Sequence, residues 1–194
     1  AAIGAALCTE DSQPRPFEEL LDLLEHAATV STPVDTMDPL FTSQADYEAF
    51  SARHQAMAVP TVDLATYTGP AYLGIDAGST TTKMVLIDPD CNLLYSFYHS
   101  NQGNPVSIVL PQLREIYAQC GGRVTIQGAA VTGYGEDLIK NAFSCDLGLV
   151  ETVAHLNAAR HFTPDVDFII DIGGQDMKCF KIHNSAIDNI YLNE

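Results

Sequence analysis

The stretch GIDAGSTTTK, residues 74–83, contains the clearest fold signal in this chain. It joins two apolar runs, AYLGID and TKMVLID, that have the composition of β-strands. The residues between these runs, AGSTT, contain a glycine and are typical of a tight turn. The stretch therefore predicts a β-hairpin whose first strand delivers Asp76 to the turn.

Strand and helix patterns alternate on the C-terminal side of this hairpin. A third strand is predicted in NLLYSFYHS, a helix ending at Gly121 in PVSIVLPQLREIYAQC, and a fourth strand in VTIQGAAVTG. Two more helices are predicted in GEDLIKNAF and VETVAHLNAARHF, and a fifth strand, leading into another hairpin, in the apolar run FIIDI. The order β-β-β-α-β-α-α-β indicates an α/β fold, in which a mixed sheet carries helices on its faces.

The N-terminal part of the chain differs in character from the rest. Residues 9–70 contain eleven acidic residues against two arginines, with six prolines among them. Two amphipathic helices are predicted there, one in PFEELLDLLEHAA and one in SQADYEAFSARHQAM with Ser43 as its N-cap. We expect residues 1–70 to be the tail of a preceding module plus a mainly helical, acidic linker. Residues 71–165 would then form a first lobe and residues 166–194 the start of a second lobe.

Composition and charge exclude several classes of partner. The net charge of −16 arises from nine basic residues against 25 acidic ones, which disfavours nucleic acid and anionic membrane surfaces. The apolar stretches are short and interrupted, so neither a membrane-spanning helix nor a signal peptide is expected. The five cysteines are therefore expected to be reduced thiols in a cytoplasmic protein. Their spacing contains no C-x-x-C, so a metal site made of these cysteines alone is not expected.

Two strands of this chain end in the same way. Their sequences are Ile75-Asp76-Ala77-Gly78 and Ile170-Asp171-Ile172-Gly173-Gly174. In each, an apolar strand places an aspartate just before a glycine-containing turn, where backbone N–H groups can approach phosphate oxygens closely. One such turn is an ordinary β-turn, whereas two of them in one chain favour a two-sided clamp for a polyphosphate.

The first turn carries further groups for this chemistry. Ser79, Thr80 and Thr81 add hydroxyl donors, and Lys83 adds a positive charge. Mg²⁺ prefers oxygen ligands and keeps several waters, so one or two carboxylates suffice to hold it. The stretch lacks the frame of a Walker A loop, and no G-x-G-x-x-G opens a helix here. The pattern therefore indicates a magnesium–polyphosphate site of another type.

Four motifs resemble, in the same order, those of one protein family. They are GIDAGSTTTK, VTGYGEDLI, ETVAHLNAARHF and DIGGQDMK, all within residues 72–194. The family is that of the ATPase activators of 2-hydroxyacyl-CoA dehydratases and benzoyl-CoA reductases, the BadF/BadG/BcrA/BcrD type, within the actin/sugar-kinase/heat-shock ATPase superfamily. The resemblance implies a ribonuclease-H-like mixed sheet in βββαβα order. Because AAIGAAL resembles the last helix of such a module, we expect the chain to come from a longer protein with tandem modules.

The resemblance also implies roles for individual residues. Asp76 and Asp171 would be catalytic carboxylates that face Mg²⁺, mainly through water, and Gln175 would position the attacking water. The two loops that bind the phosphates of ATP would consist of Gly78, Ser79, Thr80 and Lys83 in the first and Gly173 and Gly174 in the second. Glu151 and His155 match the family's acid-to-histidine helix; no chemical role is assigned to them, and packing is expected for His155.

In that family, ATP hydrolysis in a homodimer drives one low-potential electron from a bridging [4Fe-4S] cluster to the partner enzyme. The resemblance therefore implies ATP and Mg²⁺ as cofactors and an acyl-CoA dehydratase or reductase as partner. The module would be a homodimer or an intramolecular pseudo-dimer. The cluster cysteines of the family follow an N-[DE]-x-C sequence, and Cys145 and Cys179 do not match them, so no cluster ligand is assigned in this chain.

Two other functions stay open on the sequence. A sugar or small-molecule kinase of the same superfamily would use an aspartate as base beside the acceptor hydroxyl, and Asp176 is available for that role. A non-catalytic nucleotide-sensing or scaffold module would keep the binding site without turnover.

Overall fold

The computed structural model describes residues 2–9, 13–27, 37–173 and 177–193. The chain divides into two compact units, residues 1–56 and residues 57–194. The module boundaries at residues 70 and 165 stay predictions.

The first unit contains three helices. They are α1 (Ala2–Leu7), α2 (Phe17–Ala27) and α3 (Gln44–Gln55). The predicted N-cap of α3 is confirmed, because the Asp46 backbone N–H donates to Ser43 Oγ at 3.1 Å. Within the described residues, none of the three helices has a buried side chain.

The second unit is built on a five-stranded mixed sheet. Its strands are β1 (Gly69–Ala77), β2 (Thr81–Ile87), β3 (Leu93–Ser100), β4 (Val124–Thr132) and β5 (Leu147–Leu149). The spatial order is β3-β2-β1-β4-β5, with antiparallel pairing among the first three and parallel pairing from β1 to β4 and from β4 to β5. The predicted mixed sheet is confirmed. Strand β5 was not predicted, because three residues are too short to show an alternating pattern.

Three helices accompany this sheet. They are α4 (Pro105–Cys120), α5 (Glu136–Phe143) and α6 (Glu151–Phe162). Helix α4 ends at Gly121, whose left-handed φ of 54° closes the helix as the sequence predicted. The core forms where Ile75 and Met84 of the sheet meet the fully buried Ile116 of α4 and Ile139 of α5.

The segment before β1 packs on the same core. Leu64 is 3% exposed and belongs to the core cluster. The Arg123 guanidinium donates from Nη1 to the carbonyl oxygens of Tyr67 at 2.7 Å and Leu64 at 3.3 Å. These contacts hold the entry to β1 in place.

A second, three-stranded sheet follows α6. It is an antiparallel meander of β6 (Phe168–Ile172), β7 (Met177–His183) and β8 (Ala186–Leu192), in the order β6-β7-β8. The hairpin predicted after the fifth strand is confirmed. Phe180 and Ile182 of β7 are buried, whereas Phe168, Ile170 and Ile172 of β6 are 48%, 58% and 76% exposed. No helix among the described residues is long and apolar enough to cross a membrane.

Candidate functional site

The first acid–glycine hairpin is formed by β1 and β2. Ile75 and Ala77 are buried in the core, so the alternation of the strand turns Asp76 to the opposite face. The strand register places Asp76 opposite Lys83, and Lys83 Nζ lies 2.9 Å from Asp76 Oδ2. The Asp76 side chain is 28% exposed and the Lys83 side chain is 40% exposed. The positive charge assigned to the phosphate loop is therefore held against the acid of the same hairpin.

The other oxygen of Asp76 lies against the loop that follows β4. Asp76 Oδ1 is buried and has no hydrogen-bond partner among the described residues. A Cβ at Gly133 would lie 2.6 Å from this oxygen and 2.7 Å from the Ala77 carbonyl oxygen, and Gly133 has a φ of +91°. The Gly135 N–H donates to the same Ala77 carbonyl at 2.8 Å. Position 133 therefore requires glycine, a role that the sequence analysis did not assign within VTGYGEDLI.

The turn itself contains the hydroxyl residues. The Gly78 N–H donates to the Thr81 carbonyl at 2.9 Å and closes the turn, while Ser79 and Thr80 are exposed. Thr82, the fourth hydroxyl residue, lies on the core-facing side of β2, is fully buried and has no hydrogen-bond partner for Oγ1 among the described residues. The predicted loop residues Gly78, Ser79 and Thr80 thus lie together, whereas Thr82 is separated from them.

Asn101 is a residue at this site that sequence reasoning missed. It is 2% exposed, and its side chain donates from Nδ2 to the Gly78 carbonyl at 2.6 Å. Its backbone N–H donates to the Thr80 carbonyl at 2.9 Å. The only available sequence signal was an asparagine just after the third strand, which is common at turns.

The second acid–glycine hairpin is formed by β6 and β7. Its register places Asp171 opposite Lys178, just as Asp76 lies opposite Lys83. IDIGGQDMK therefore repeats IDAGSTTTK with aspartate, glycine and lysine at matching positions. Lys178 was missed by sequence reasoning, although this shared spacing was a usable signal. Gly174, Gln175 and Asp176 lie outside the described residues.

Helix α6 contacts both charged residues of the second hairpin. Asp171 Oδ2 lies 3.4 Å from His155 Nδ1, and Lys178 Nζ donates to Glu151 Oε2 at 2.9 Å. Glu151 and His155 are four residues apart and so share one face of the helix. The His155 ring also packs near Phe180, with ring centroids 6.3 Å apart. The expected packing of His155 thus comes with a contact to the acid that the sequence assigned to Mg²⁺.

Both hairpins line one cleft of about 480 Å³. The first hairpin contributes Gly78, Ser79, Thr80, Thr81 and Lys83, and the second contributes Gly173 and Lys178. The described lysine and arginine side chains on its wall are Lys83 and Lys178, one from each hairpin. The two acid–glycine turns therefore face the same space, as a two-sided clamp requires.

A second cavity of about 350 Å³ adjoins this cleft. Its wall includes Asp76 and Lys83 from the first hairpin and His155 from α6, together with small and apolar residues of β1, β4 and α6. Lys83 lines both cavities. Asp76 lines this second cavity directly, whereas Asp171 is connected to it through His155, whose Nδ1 lies 3.4 Å from Asp171 Oδ2.

Three side chains beside the second hairpin form a group that could hold a metal ion. One ligand atom each of Glu151, His155 and Asp171 lies within 4.8 Å of the others, and Asp76 Oδ1 is a further carboxylate oxygen without a partner among the described residues. By contrast, burial raises the pKa of the Cys120 and Cys145 thiols, which disfavours the thiolate form that binds metals.

The part of the chain that contains both hairpins resembles known proteins. The sequence model of the BadF/BadG/BcrA/BcrD ATPase family matches residues 73–194. The 2-hydroxyisocaproyl-CoA dehydratase activator of Clostridioides difficile is 31% identical over 115 residues, which are 59% of this chain and 42% of that protein. The (R)-2-hydroxyglutaryl-CoA dehydratase activating ATPase of Acidaminococcus fermentans is 25% identical over 125 residues, which are 63% of this chain and 46% of that protein.

A solved structure shows the same fold. It is the activator of the 2-hydroxyisocaproyl-CoA dehydratase from Clostridium difficile with bound ADPNP, and it superposes with a TM-score of 0.51 at 28% sequence identity. The match covers 64% of this chain and 46% of that one. The chain thus spans less than half the length of each of these relatives.

Proposed function

Because the chain belongs to the BadF/BadG/BcrA/BcrD ATPase family, we propose that the cleft between its two hairpins binds Mg·ATP. One observation carries the proposal. Two hairpins with the same Asp–Gly–Lys pattern and the same strand register line a single cleft of about 480 Å³. The relative from Clostridium difficile that shares this fold was solved with bound ADPNP, which supports a nucleotide as the occupant.

The cleft wall carries two lysines that can bind phosphate groups, together with two glutamates, Glu136 and Glu151. Lys83 and Lys178 each supply one positive charge, and in this structure they lie 2.9 Å from Asp76 and Glu151, respectively. A phosphate group at the turns would compete with these carboxylates for the lysines, while the exposed Ser79 and Thr80 offer hydroxyl donors. Binding of the phosphates is therefore expected to redistribute both ion pairs.

The carboxylates fit Mg²⁺. Asp76 Oδ1 has no hydrogen-bond partner among the described residues, and Asp171 Oδ2 lies 3.4 Å from His155 Nδ1, a residue that lines the same cavity as Asp76. Mg²⁺ would be held by Asp76 and Asp171, mainly through water, and would neutralise the charge on the phosphates. Gln175 would orient the attacking water, a role of polarisation rather than of strong base.

For the whole protein we propose an ATP-hydrolysing activator that drives low-potential electron transfer to an acyl-CoA dehydratase or reductase. Two relatives that are named as a dehydratase activator and a dehydratase activating ATPase support this proposal. The electron would come from a [4Fe-4S] cluster for which this chain supplies no assigned ligand. The active form would be a homodimer or a pseudo-dimer of two modules in the cytoplasm, where the five thiols stay reduced.

Substitution of Asp171 tests the nucleotide site. Asp171→Asn in the protein that contains this chain should abolish ATP hydrolysis and leave the fold intact, because the side chain keeps its shape and loses the charge that attracts Mg²⁺. The measurements are release of inorganic phosphate and the circular dichroism spectrum. Asp167→Asn is the matched control, since Asp167 is exposed and directly precedes the same strand. Wild-type turnover in Asp171→Asn would contradict the proposal.

The same assay separates the proposed function from the two alternatives. A kinase would consume ATP only with a hydroxyl acceptor present. A sensor or scaffold module would bind Mg·ATP in calorimetric titration without turnover and without any effect on electron transfer.

A further inference from the structure

Asn101 lies behind the first acid–glycine turn and contacts it from inside the protein. It is 2% exposed, and four hydrogen bonds use its side chain and backbone, one of them from the Asn104 N–H to the Asn101 carbonyl at 2.7 Å. Nδ2 donates to the Gly78 carbonyl at 2.6 Å, the backbone N–H donates to the Thr80 carbonyl at 2.9 Å, and Oδ1 accepts from the Gly103 N–H at 3.0 Å. One buried residue thus connects two carbonyls of the turn with the loop that follows β3.

These bonds fix which way the turn presents its polar groups. In a planar trans peptide the C=O of one residue and the N–H of the next point in opposite directions. Because the Gly78 carbonyl points at the buried Asn101 side chain, the Ser79 N–H points away from it, on the exposed side of the turn. A third carbonyl, that of Thr81, accepts from the Gly78 N–H.

The turn therefore has three carbonyl acceptors that are paired within the protein. The carbonyl oxygens of Gly78, Thr80 and Thr81 all have donors within the protein. The Ser79 N–H and the hydroxyls of the exposed Ser79 and Thr80 lie on the outer side, where the cleft begins. An anion is repelled by carbonyl oxygens and attracted by N–H and O–H donors, so this arrangement suits a phosphate group.

We infer that Asn101 is a positioning residue for the first phosphate loop, which it holds in the conformation that receives a polyphosphate. The inference rests on the proposed function, because the ligand class comes from there. Asn101 contacts no ligand itself. Its contribution is to remove the entropy cost of ordering the turn when the phosphates bind.

The test compares Asn101→Ala with Asn104→Ala. Asn104 lies three residues further on and accepts from the Ser107 N–H at 3.2 Å as the N-cap of α4, so its loss weakens a neighbouring bond without touching the turn. Two quantities are measured for each variant. One is the dissociation constant for tripolyphosphate and for Mg·ATP, and the other is the NMR order parameter of the Ser79 and Thr80 amides without ligand.

Asn101→Ala should raise both dissociation constants about tenfold, the factor that corresponds to about 1.4 kcal/mol, and should lower the order parameters at Ser79 and Thr80. Asn104→Ala should change neither quantity. Wild-type values in Asn101→Ala, or equal effects in both variants, would overturn the inference. If Asn101→Ala does not fold, Asn101→Ser serves, because its hydroxyl is too short to reach both Gly78 and Gly103.

Failure of the two proposals can be told apart. If the wild-type protein binds neither tripolyphosphate nor Mg·ATP, the proposed function fails. The order parameters at Ser79 and Thr80 then still decide whether Asn101 holds the turn. If the wild type binds both ligands and the order parameters are unchanged in Asn101→Ala, only the inference about Asn101 fails.

Discussion

The two acid–glycine hairpins share a register but differ in where their charges find partners. In the first hairpin, Lys83 pairs with Asp76 of the adjacent strand at 2.9 Å. In the second, Asp171 lies 3.4 Å from His155 and Lys178 lies 2.9 Å from Glu151, both on α6. The first hairpin therefore contains its own ion pair, whereas the second is tied to a helix.

The two hairpins also differ in how deeply their side chains are buried. The first lies within a five-stranded sheet, and the buried Ile75, Ala77 and Met84 anchor it in the core. The second lies in a three-stranded sheet whose β6 side chains Phe168, Ile170 and Ile172 are largely exposed. The same motif is thus anchored in the core in one place and paired with charged side chains of α6 in the other. A nucleotide that displaces Glu151 from Lys178 would weaken a contact between α6 and the second hairpin, which is the less anchored of the two hairpins.

The largest effect on stability is expected from Gly133→Ala, which introduces a Cβ from the neighbouring loop against the first hairpin. The added Cβ would lie 2.6 Å from Asp76 Oδ1 and 2.7 Å from the Ala77 carbonyl oxygen, at a φ of +91°. We expect the free energy of unfolding to fall by about 2–4 kcal/mol, because the clash adds to the strained backbone. Urea unfolding measures this change.

Gly122→Ala is the matched control for that substitution. Gly122 has a φ of +76° and nothing within 4 Å of its Cβ position, so alanine there isolates the backbone cost, about 1 kcal/mol. Equal losses at positions 133 and 122 would show that the contact with Asp76 has no energetic weight.

A smaller effect is expected from Lys178→Met, which removes the ion pair between the second hairpin and α6. Because the Glu151 side chain is 36% exposed, water screens the pair, and we expect a loss of about 1 kcal/mol. Native-state hydrogen exchange should speed up in β6 and β7 and stay unchanged in β1 and β2. Lys181→Met, an exposed position on β7, is the control. Faster exchange in both hairpins would mean that they are not independent.

The smallest effect concerns the far end of β2, where Asp88 closes the turn to β3. Burial acts to raise the pKa of Asp88, but hydrogen bonds from Asn92 and from the Asp90 N–H outweigh it and hold the pKa below its usual value. A lowered carboxyl pKa adds stability above the unfolded pKa of about 4, and this stability is lost as the pH falls through the folded value.

Acid titration should therefore affect the stability of the first sheet more than that of the second sheet. Between pH 5 and pH 3, the protection factors of the β1–β3 amides, taken relative to the intrinsic exchange rate at each pH, should fall in the wild type, and Asp88→Asn should show a flatter response from a lower starting stability. The turn between β7 and β8 contains no such acid, since Asn184 and Ser185 form it with φ values of 50° and 64°. An identical pH response in the wild type and Asp88→Asn would rule out Asp88 as its source.

Local patterns made most of the second unit predictable. Alternation of apolar and polar residues predicted β1 to β4, and Gly121 predicted the end of α4, because both signals lie within a few neighbouring residues. Strand β5 was missed for want of length. Among the site residues, Asp76, Gly78 and Lys83 were predicted and lie together in the first hairpin.

The missed residues have a common cause. Gly133 approaches Asp76 because β1 and β4 pair in parallel, with Asp76 opposite Thr132. Asn101 reaches the first turn because β3 pairs with β2, and Lys178 reaches Glu151 because α6 lies against the second sheet. Each contact joins residues far apart in the chain, so no local pattern encodes it.

Local sequence patterns determine β1 to β4 and the positions of the two acid–glycine turns, because side-chain alternation and the positions of glycine and acid act over short range. The sequence also contained the repeat of aspartate, glycine and lysine that marks both hairpins. The ion-pair partner of each charged side chain follows from the tertiary structure alone. The two hairpins share one motif but have different ion-pair partners, because burial and the neighbouring helix, rather than the motif, set the positions of the side chains.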